Sequence, residues 1–414
     1  ASHPIPAHDS PLARCLCREA ASGPSLRFTA GRTRTSGSQA HCCVTHESQR
    51  GIAQDHSLSN FNPRMREPHL EASGRPRRST SAMTWCDVFN EVQQPGVGNL
   101  HVVILGAGCS RAALPDGDAN GLCLPLMQDF VQTVTPLRDL LEKNGISFEK
   151  LNFEEIYSDL AETDSREVLD AAETIIYDYF SSLVLPAQPT LYDHLLVSLR
   201  KKDVVATFNW DPFLIQAVNR NPILYESGPQ LIFLHGNVMA GFCAKHSNQG
   251  PVGNSCPVCG DALKKSKLLY PIRSKNYDDD PMISASWKQL RSDLAESFMI
   301  TIFGYGAPVS DFAAVELLKE GLGAHRELNT IEIIDTKPRE QLYDTWEPFI
   351  QVHNHHYKIH ANFEQSWIAR HPGRTREAYI RQYLNGEWLS DERIPAGAGF
   401  SDLQRWASRL IESE

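Results

Sequence analysis

Short polar or glycine-rich segments directly follow five apolar runs of this chain, and their residue types suit one kind of chemistry. Glycines allow a backbone to approach a phosphate group closely. A side-chain amide both donates and accepts hydrogen bonds, and an imidazole takes up a proton near neutral pH. Together the segments predict a dinucleotide pocket with one polar amide and one histidine base. They are residues 106–110 (GAGCS), 208–211 (FNWD), 235–236 (HG), 304–306 (GYG) and Asp335.

The first segment predicts a phosphate-binding loop, in which Gly106 and Gly108 let the backbone approach a pyrophosphate. A helix is expected directly after it, and the N-terminal amides of that helix would point at the phosphate. The usual dinucleotide fingerprint, G-x-G-x-x-G, is incomplete because Arg111 stands where the third glycine belongs. A plain turn between a strand and a helix is an equally good interpretation of this segment.

Two polar residues follow the next apolar run. Asn209 is placed to hold a ribose hydroxyl or to order a water through its amide. Asp211 precedes Pro212, so its minimum role is that of an N-cap for a helix that begins at the proline. Local capping explains Asp211 but does not explain Asn209.

His235 ends a third apolar run, at the same edge of the predicted sheet as the glycine loop. A histidine at a strand end is often only a packed side chain. However, a base with a pKa near neutrality is what the activation of a sugar hydroxyl requires. We therefore retain His235 as the candidate base.

A cluster of sulfur and imidazole ligands gives the most specific local signal. Cys243 and His246 form one close pair, and Cys256 and Cys259 form another after nine intervening residues. This spacing is typical of a tetrahedral structural zinc site. Four protein ligands would leave no open position, so the metal is not expected to be catalytic.

A second glycine turn and an acidic strand end complete the predicted site. Gly304 and Tyr305 follow a fourth apolar run and are expected to contact the cofactor. Asp311 follows, either as part of the pocket or as the N-cap of a helix. Asp335 ends a fifth run and is expected to accept hydrogen bonds from an adenosine ribose, unless it is only a solvated strand end.

The apolar pattern predicts an α/β fold with a Rossmann-like parallel sheet and helices on both faces. In such sheets the ligand lies at the carboxyl ends of the strands, where all the candidate segments fall. Apolar repeats of three and four residues predict helices within 122–200, at 311–322, and in the C-terminal region at 366–370, 375–384 and 402–411. The strands are expected at 101–105, 203–208, 231–234, 298–303 and 330–334.

The predicted organisation has three parts: a leader at 1–82, a nucleotide-binding domain at 83–360, and a helical C-terminal extension at 361–414. A small zinc-binding module is inserted at about 237–268. The leader contains eleven Arg and no Lys and has no apolar periodicity, so disorder is expected. Its composition fits a non-native segment before Met83 or an organelle transit peptide.

Charge and hydropathy exclude several functional classes. The net charge of −10 argues against direct nucleic-acid binding, which requires a basic surface. No apolar run approaches the length of a membrane span. Outside the leader, the cysteines are either scattered singly or clustered with His246, which suits a metal site in a reducing cytoplasm better than a disulfide framework.

Across residues 100–336 this arrangement resembles the sirtuin family. Gly106, Ala107, Gly108 and Ser110 match its G-A-G-x-S phosphate loop. Residues 207–211 (TFNWD) resemble its T-x-N-x-D segment, whose Asn and Asp face the nicotinamide ribose and amide. His235 and Gly236 match its catalytic His-Gly pair, and a zinc module follows, as in the family. The resemblance implies NAD as substrate and a structural zinc.

The chain departs from the deacylases of that family in two segments. Residues 113–117 (ALPDG) keep only part of the G-I-P-D-F-R-like stretch, and residues 268–272 (LLYPI) stand where F-G-E is expected. Residues 303–311 (FGYGAPVSD) resemble divergent bacterial sirtuin-like proteins, which often act as NAD hydrolases in anti-phage defence. The resemblance thus implies a retained NAD site and a lost peptide site.

Three functions remain open from the sequence. The first is a cytoplasmic NAD glycohydrolase, in the form of a defence effector regulated by homo-oligomerisation or by a partner protein. In this hypothesis Asn209 positions the ribose or the water, His235 is the base, and Asp211 holds the carboxamide. The second is an NAD-dependent protein deacylase or ADP-ribosyltransferase. The third is a non-catalytic module that senses NAD or ADP-ribose.

Overall fold

The computed structural model describes residues 99–148, 152–163, 165–246, 248–272, 277–308, 311–322, 330–350 and 357–412. The expected leader at 1–82 lies outside these residues. Among the described helices, none is long and apolar enough to cross a membrane.

The strands of the described chain form two sheets. In chain order the strands are β1 (Leu100–Leu105), β2 (Val204–Thr207), β3 (Gln230–Phe233), β4 (Ala240–Phe242), β5 (Gln249–Pro251), β6 (Lys264–Lys265), β7 (Ser297–Phe303), β8 (Thr330–Ile334) and β9 (Tyr357–His360). The large sheet is parallel throughout and has the strand order β3-β2-β1-β7-β8-β9, and the small one is antiparallel with the order β5-β4-β6.

Helices lie in the connections between the parallel strands, as expected for crossovers, and also after β9. They are α1 (Ala107–Ala113), α2 (Phe130–Thr133), α3 (Thr135–Lys143), α4 (Phe153–Glu162), α5 (Arg166–Ser181), α6 (Leu191–Val197), α7 (Phe213–Arg220), α8 (Leu224–Ser227), α9 (Pro281–Ala295), α10 (Phe312–Leu322), α11 (Arg339–Ile350), α12 (Trp367–Arg370), α13 (Thr375–Ile380) and α14 (Phe400–Glu412). A 3₁₀ turn, Phe363–Gln365, precedes α12, and a π-helical turn, Arg381–Asn385, follows α13.

Successive residues of β1 enter two different cores. Val103 and Leu105 pack in the core that contains α4 to α7, whereas Val102 and Ile104 pack in the core that contains α9 to α11. All four side chains are fully buried. The sheet is therefore covered on both faces, as predicted, and this is why its central strands read as continuous apolar runs.

Two elements of the fold did not follow from apolar patterning. Strand β9 has the sequence YKIH and is half-buried along its whole length at the edge of the sheet. Helix α9 buries Ser284, Ser286 and Asp293 together with its apolar residues, so its buried face contains polar positions. Apolar periodicity is weak in both segments for these reasons.

The C-terminal region is helical, as predicted, and it contributes to the core. Trp367 and Tyr379 share a buried cluster with Phe298 of β7. The amide of Trp367 donates to the Glu332 carboxylate on β8 at 2.8 Å, and that carboxylate also accepts from the Thr301 hydroxyl at 3.0 Å. These contacts attach the C-terminal helices to the middle of the sheet.

Candidate functional site

The candidate residues lie at one edge of the large sheet. Gly106 follows β1, Asn209 lies two residues beyond β2, and His235 lies two residues beyond β3. Gly304 follows β7 and Asp335 follows β8. Because these five strands are adjacent and parallel, their carboxyl ends meet at the same edge, as the sequence predicted.

The two glycine turns pack directly against each other. The amide of Gly106 donates to the Phe303 carbonyl at 3.0 Å, and the amide of Gly108 donates to the Gly304 carbonyl at 2.9 Å. A Cβ on Gly106 would lie 2.5 Å from the Tyr305 Cα. Backbone contact between the turns therefore explains the missing side chains, whether or not a phosphate binds there.

Ser110 is the centre of a buried polar network. Its hydroxyl donates to Asp211 Oδ2 at 2.6 Å and lies 2.7 Å from the Tyr192 hydroxyl. Asn209 Nδ2 donates to the same hydroxyl at 2.9 Å. Since a serine has one proton and two lone pairs, Tyr192 must donate to it, and its hydrogen-bonding capacity is fully used.

The orientation of the Asn209 amide follows from its neighbours. Its Nδ2 also donates to the Gly106 carbonyl at 3.0 Å, and a carbonyl can only accept. The nitrogen side of the amide therefore faces the glycine loop and Ser110. Contact with a ligand is left to Oδ1, an acceptor that suits a ribose hydroxyl or a water.

Asp211 is buried beside Ser110 and joins the network to helix α7. Its Oδ1 accepts from the Phe213 amide at 3.3 Å, and α7 begins at Phe213, one residue after the start that Pro212 suggested. Burial raises the pKa of Asp211 to about 6, while the hydrogen bonds from Ser110 and Phe213 lower it to a smaller extent. This carboxyl group therefore titrates near neutral pH.

Tyr192 was not among the predicted site residues. It lies on α6, is fully buried, and reaches the loop through its hydroxyl. Burial raises its pKa well above the usual range, so it remains a neutral hydrogen-bond donor. No local sequence pattern identifies it, because Ser110, the partner of its hydroxyl, lies 82 residues earlier in the chain.

His235 lies in a cage of aromatic rings. Its ring meets Phe208 edge to face at a centroid distance of 4.8 Å and stacks on Tyr277 at 5.9 Å with an interplanar angle of 24°. Only 6% of its surface is exposed. Phe208 immediately precedes Asn209, so one short segment supplies both the wall beside the histidine and the amide of the polar network.

The residue after the candidate base must be glycine. Gly236 has a φ of +76°, and a Cβ there would collide with the Lys267 carbonyl. The His235 carbonyl also accepts from the Leu269 amide at 2.9 Å. The chain that returns from the small sheet thus fixes the backbone of the His-Gly pair.

The second glycine turn places Tyr305 beneath the site. Its ring stacks on Phe208 at 4.0 Å with an interplanar angle of 5°, and its hydroxyl donates to Asp311 at 3.0 Å. The Tyr305 side chain is therefore committed to the core. Contact between this turn and a ligand would involve the backbone of Gly304 to Gly306.

The end of β8 adds a cation that sequence reasoning missed. Asp335 uses Oδ1 to accept from the Lys337 amide at 2.9 Å, which closes a tight turn. The Lys337 ammonium reaches to within 3.2 Å of the position that a Cβ on Gly306 would take. A positively charged side chain thus lies over the second glycine turn.

The predicted zinc ligands come together as predicted. The ligand atoms of Cys243, His246, Cys256 and Cys259 all lie within 4.8 Å of one another. The Cys243 Sγ lies 3.6 Å from both the Cys259 Sγ and the His246 Nδ1, and the Cys256 Sγ lies 3.8 Å from that nitrogen. A tetrahedral zinc site has ligand–ligand edges of roughly 3.5–3.8 Å, so these residues fit a structural zinc.

Comparison with known proteins gives only distant structural likenesses. No family model matches the chain, and no curated protein matches it. A Sir2 homologue in complex with NAD aligns with 70% of this chain and 91% of its own, at 13% identity and a TM-score of 0.34. A mutant Sir2 homologue in complex with ADP-ribose aligns with 79% and 99%, at 13% identity and a TM-score of 0.32.

A triple mutant of a Sir2 homologue in complex with 2′-O-acetyl-ADP-ribose aligns with 70% of this chain and 94% of its own, at 16% identity and a TM-score of 0.34.

Proposed function

We propose that this protein is an NAD glycohydrolase, which cleaves NAD to nicotinamide and ADP-ribose. In this reaction the glycosidic C–N bond breaks, its electron pair neutralises the positively charged nicotinamide nitrogen, and water adds to the ribose carbon. Because nicotinamide leaves readily, the protein mainly has to orient the sugar and stabilise an oxocarbenium-like transition state.

The observation that carries this proposal is the buried network that joins Asn209, Asp211 and Ser110 to the carbonyl of Gly106. It places an amide and a carboxyl group at the carboxyl edge of the sheet, directly beside the first glycine turn. Such an edge is where nucleotide ligands bind in doubly wound sheets. The phosphates would lie along residues 106–110, and Gly304 and Asp335 would face the adenosine side.

Each catalytic residue has a separate role in the proposed reaction. His235 takes the proton of the attacking water as general base. Asn209 directs its Oδ1 at the nicotinamide ribose or at that water, since its Nδ2 is used within the network. Asp211 holds the carboxamide of nicotinamide and is itself oriented by Ser110 and Phe213.

The surroundings of His235 favour hydrolysis over transfer to a protein side chain. A deacylase must bring an acyl-lysine to its histidine, and this requires an open channel. Here only 6% of the His235 surface is exposed, and Phe208 and Tyr277 pack against its ring. A single water needs far less room beside the imidazole than an acyl-lysine does.

Zinc is assigned a structural role in this proposal. Cys243, His246, Cys256 and Cys259 would complete its tetrahedral coordination and leave no position for substrate. The small sheet around them returns the chain to Leu269, which fixes the His235 backbone. The metal would thus support the site from outside.

The test is NAD consumption by wild type, His235→Ala and Asn209→Ala, with and without an acyl-lysine peptide. Each substitution should lower turnover by about 10²–10⁴-fold, and His235→Ala should leave the affinity for NAD unchanged. Asn144→Ala, at the exposed end of α3, is the matched control and should be unaffected. Turnover that depends on the peptide would indicate a deacylase, and NAD binding without turnover in every oligomeric state would indicate a sensor.

A further inference from the structure

We propose that Tyr277 sets the size of the nucleophile that reaches His235, admitting water and excluding larger alcohols and amines. This inference rests on the proposed NAD hydrolysis and extends it, because it names the residue that decides which acceptor receives the ADP-ribosyl group. Tyr277 lies outside the glycine loop, the Asn209 network and the zinc cluster.

Two rings cover His235 from different directions. The Tyr277 ring lies nearly parallel to the imidazole, with 24° between the planes and 5.9 Å between the centroids. The Phe208 ring meets it almost at right angles, at 81° and 4.8 Å. A molecule that is activated by the imidazole must fit beside both rings.

The Tyr277 ring is held in place by its own neighbours. It packs against Trp287 of α9 at a centroid distance of 5.0 Å and is only 6% exposed. Trp287 in turn contacts Phe208 at 5.9 Å. The four rings therefore pack against one another, and any movement of the Tyr277 ring would cost its contact with Trp287.

Phe208 is less suited to the same role because other parts of the site hold it in place. It stacks face to face on Tyr305, and it immediately precedes Asn209 in the polar network. A change at Phe208 would disturb the proposed catalytic amide. The ring contacts of Tyr277 are with His235 and Trp287, so its size can change access to His235 with less effect on Asn209 than a change at Phe208.

The chemistry gives a direct measure of the available space. When an alcohol replaces water, His235 accepts the hydroxyl proton, the alcohol oxygen bonds to the ribose carbon, and nicotinamide leaves with the electron pair of the broken C–N bond. The product is an alkyl ADP-riboside in place of ADP-ribose. The ratio of the two products reports how well each alcohol fits, independently of the overall rate.

The experiment measures this ratio for methanol, ethanol and 1-propanol with wild type, Tyr277→Ala, Tyr277→Leu, Tyr277→Phe and Tyr225→Ala. Wild type should form little ethyl and propyl product, and Tyr277→Ala should raise their share at least about tenfold, as expected when a wall of a pocket is removed. Tyr277→Phe keeps the ring and should behave as wild type. Tyr225 is 64% exposed, so its replacement is the matched control and should also change nothing.

The outcomes separate this inference from the proposed function. Normal hydrolysis with an unchanged product ratio in a folded Tyr277→Ala or Tyr277→Leu variant would overturn the role of Tyr277 alone. Should neither variant fold, a wild type that accepts 1-propanol as readily as methanol would overturn it equally. A wild type that forms no ADP-ribose in any oligomeric state would overturn the proposed function together with the inference.

Discussion

Gly108 and Gly304 lie backbone against backbone, and this contact joins the two halves of the candidate site. The Gly108 amide donates to the Gly304 carbonyl at 2.9 Å. Gly304 has a φ of +62°, and a Cβ there would lie 2.5 Å from the carbonyl carbon of Gly108. Neither turn can carry a side chain at this point without moving the other.

Gly304→Ala should therefore destabilise the protein by about 2–4 kcal/mol, since it adds both a left-handed alanine and a backbone clash. Urea denaturation with and without NAD measures the change. Gly306→Ala is the matched control, because a Cβ there meets only the end of the flexible Lys337 side chain. Equal stabilities of the two variants would contradict the close contact between the turns.

Because Asp211 is buried, its effect on the free energy of unfolding should change with pH in the opposite direction to that of a salt-bridged carboxylate. Its pKa is raised to about 6, so the native state binds this proton more tightly than the unfolded chain does. The stabilisation that the protonated Asp211 carboxyl gives the native state is fully present below the pKa of the unfolded chain. It is lost as the pH rises through 6. The free energy of unfolding of wild type relative to Asp211→Asn should thus fall by about 2 kcal/mol between pH 4 and pH 7.

Denaturation at several pH values tests this expectation for Asp211. Asp178→Asn removes an exposed carboxylate elsewhere and controls for the change in net charge. A difference between wild type and Asp211→Asn that stays constant across this pH range would show that the carboxyl group is not buried as described.

The zinc site should be essential for the stability of the small sheet. Purified protein should contain about one zinc per chain, and Cys256→Ser or a strong chelator should lower the melting temperature and the NAD turnover together. Cys123→Ser, a cysteine outside the cluster, is the control. Metal-free protein whose stability is unchanged by Cys256→Ser would show that the four residues do not form a metal site.

Some features of this protein were determined by local sequence. Strands β1, β2, β3, β7 and β8 were predicted because strands covered on both faces must be apolar throughout. In a parallel sheet, the residues that follow neighbouring strands lie at the same edge. The sequence therefore predicted that Gly106, Asn209, His235 and Gly304 would lie close together. The zinc ligands could be predicted from the sequence because all four lie in two close pairs within one short segment.

Other features depended on the tertiary structure. Tyr192 and Tyr277 each reach the site from a segment that carries no signal of its own, and Lys337 becomes relevant only where it extends over Gly306. The structure of strand β9 and of helix α9 depends on tertiary contacts more than on the apolar periodicity of their own sequences. The sequence determined which chemical groups stand at the ends of the strands. The enclosure of His235 and the orientation of Asn209 were decided by contacts between distant segments, because such contacts form only when the whole chain folds.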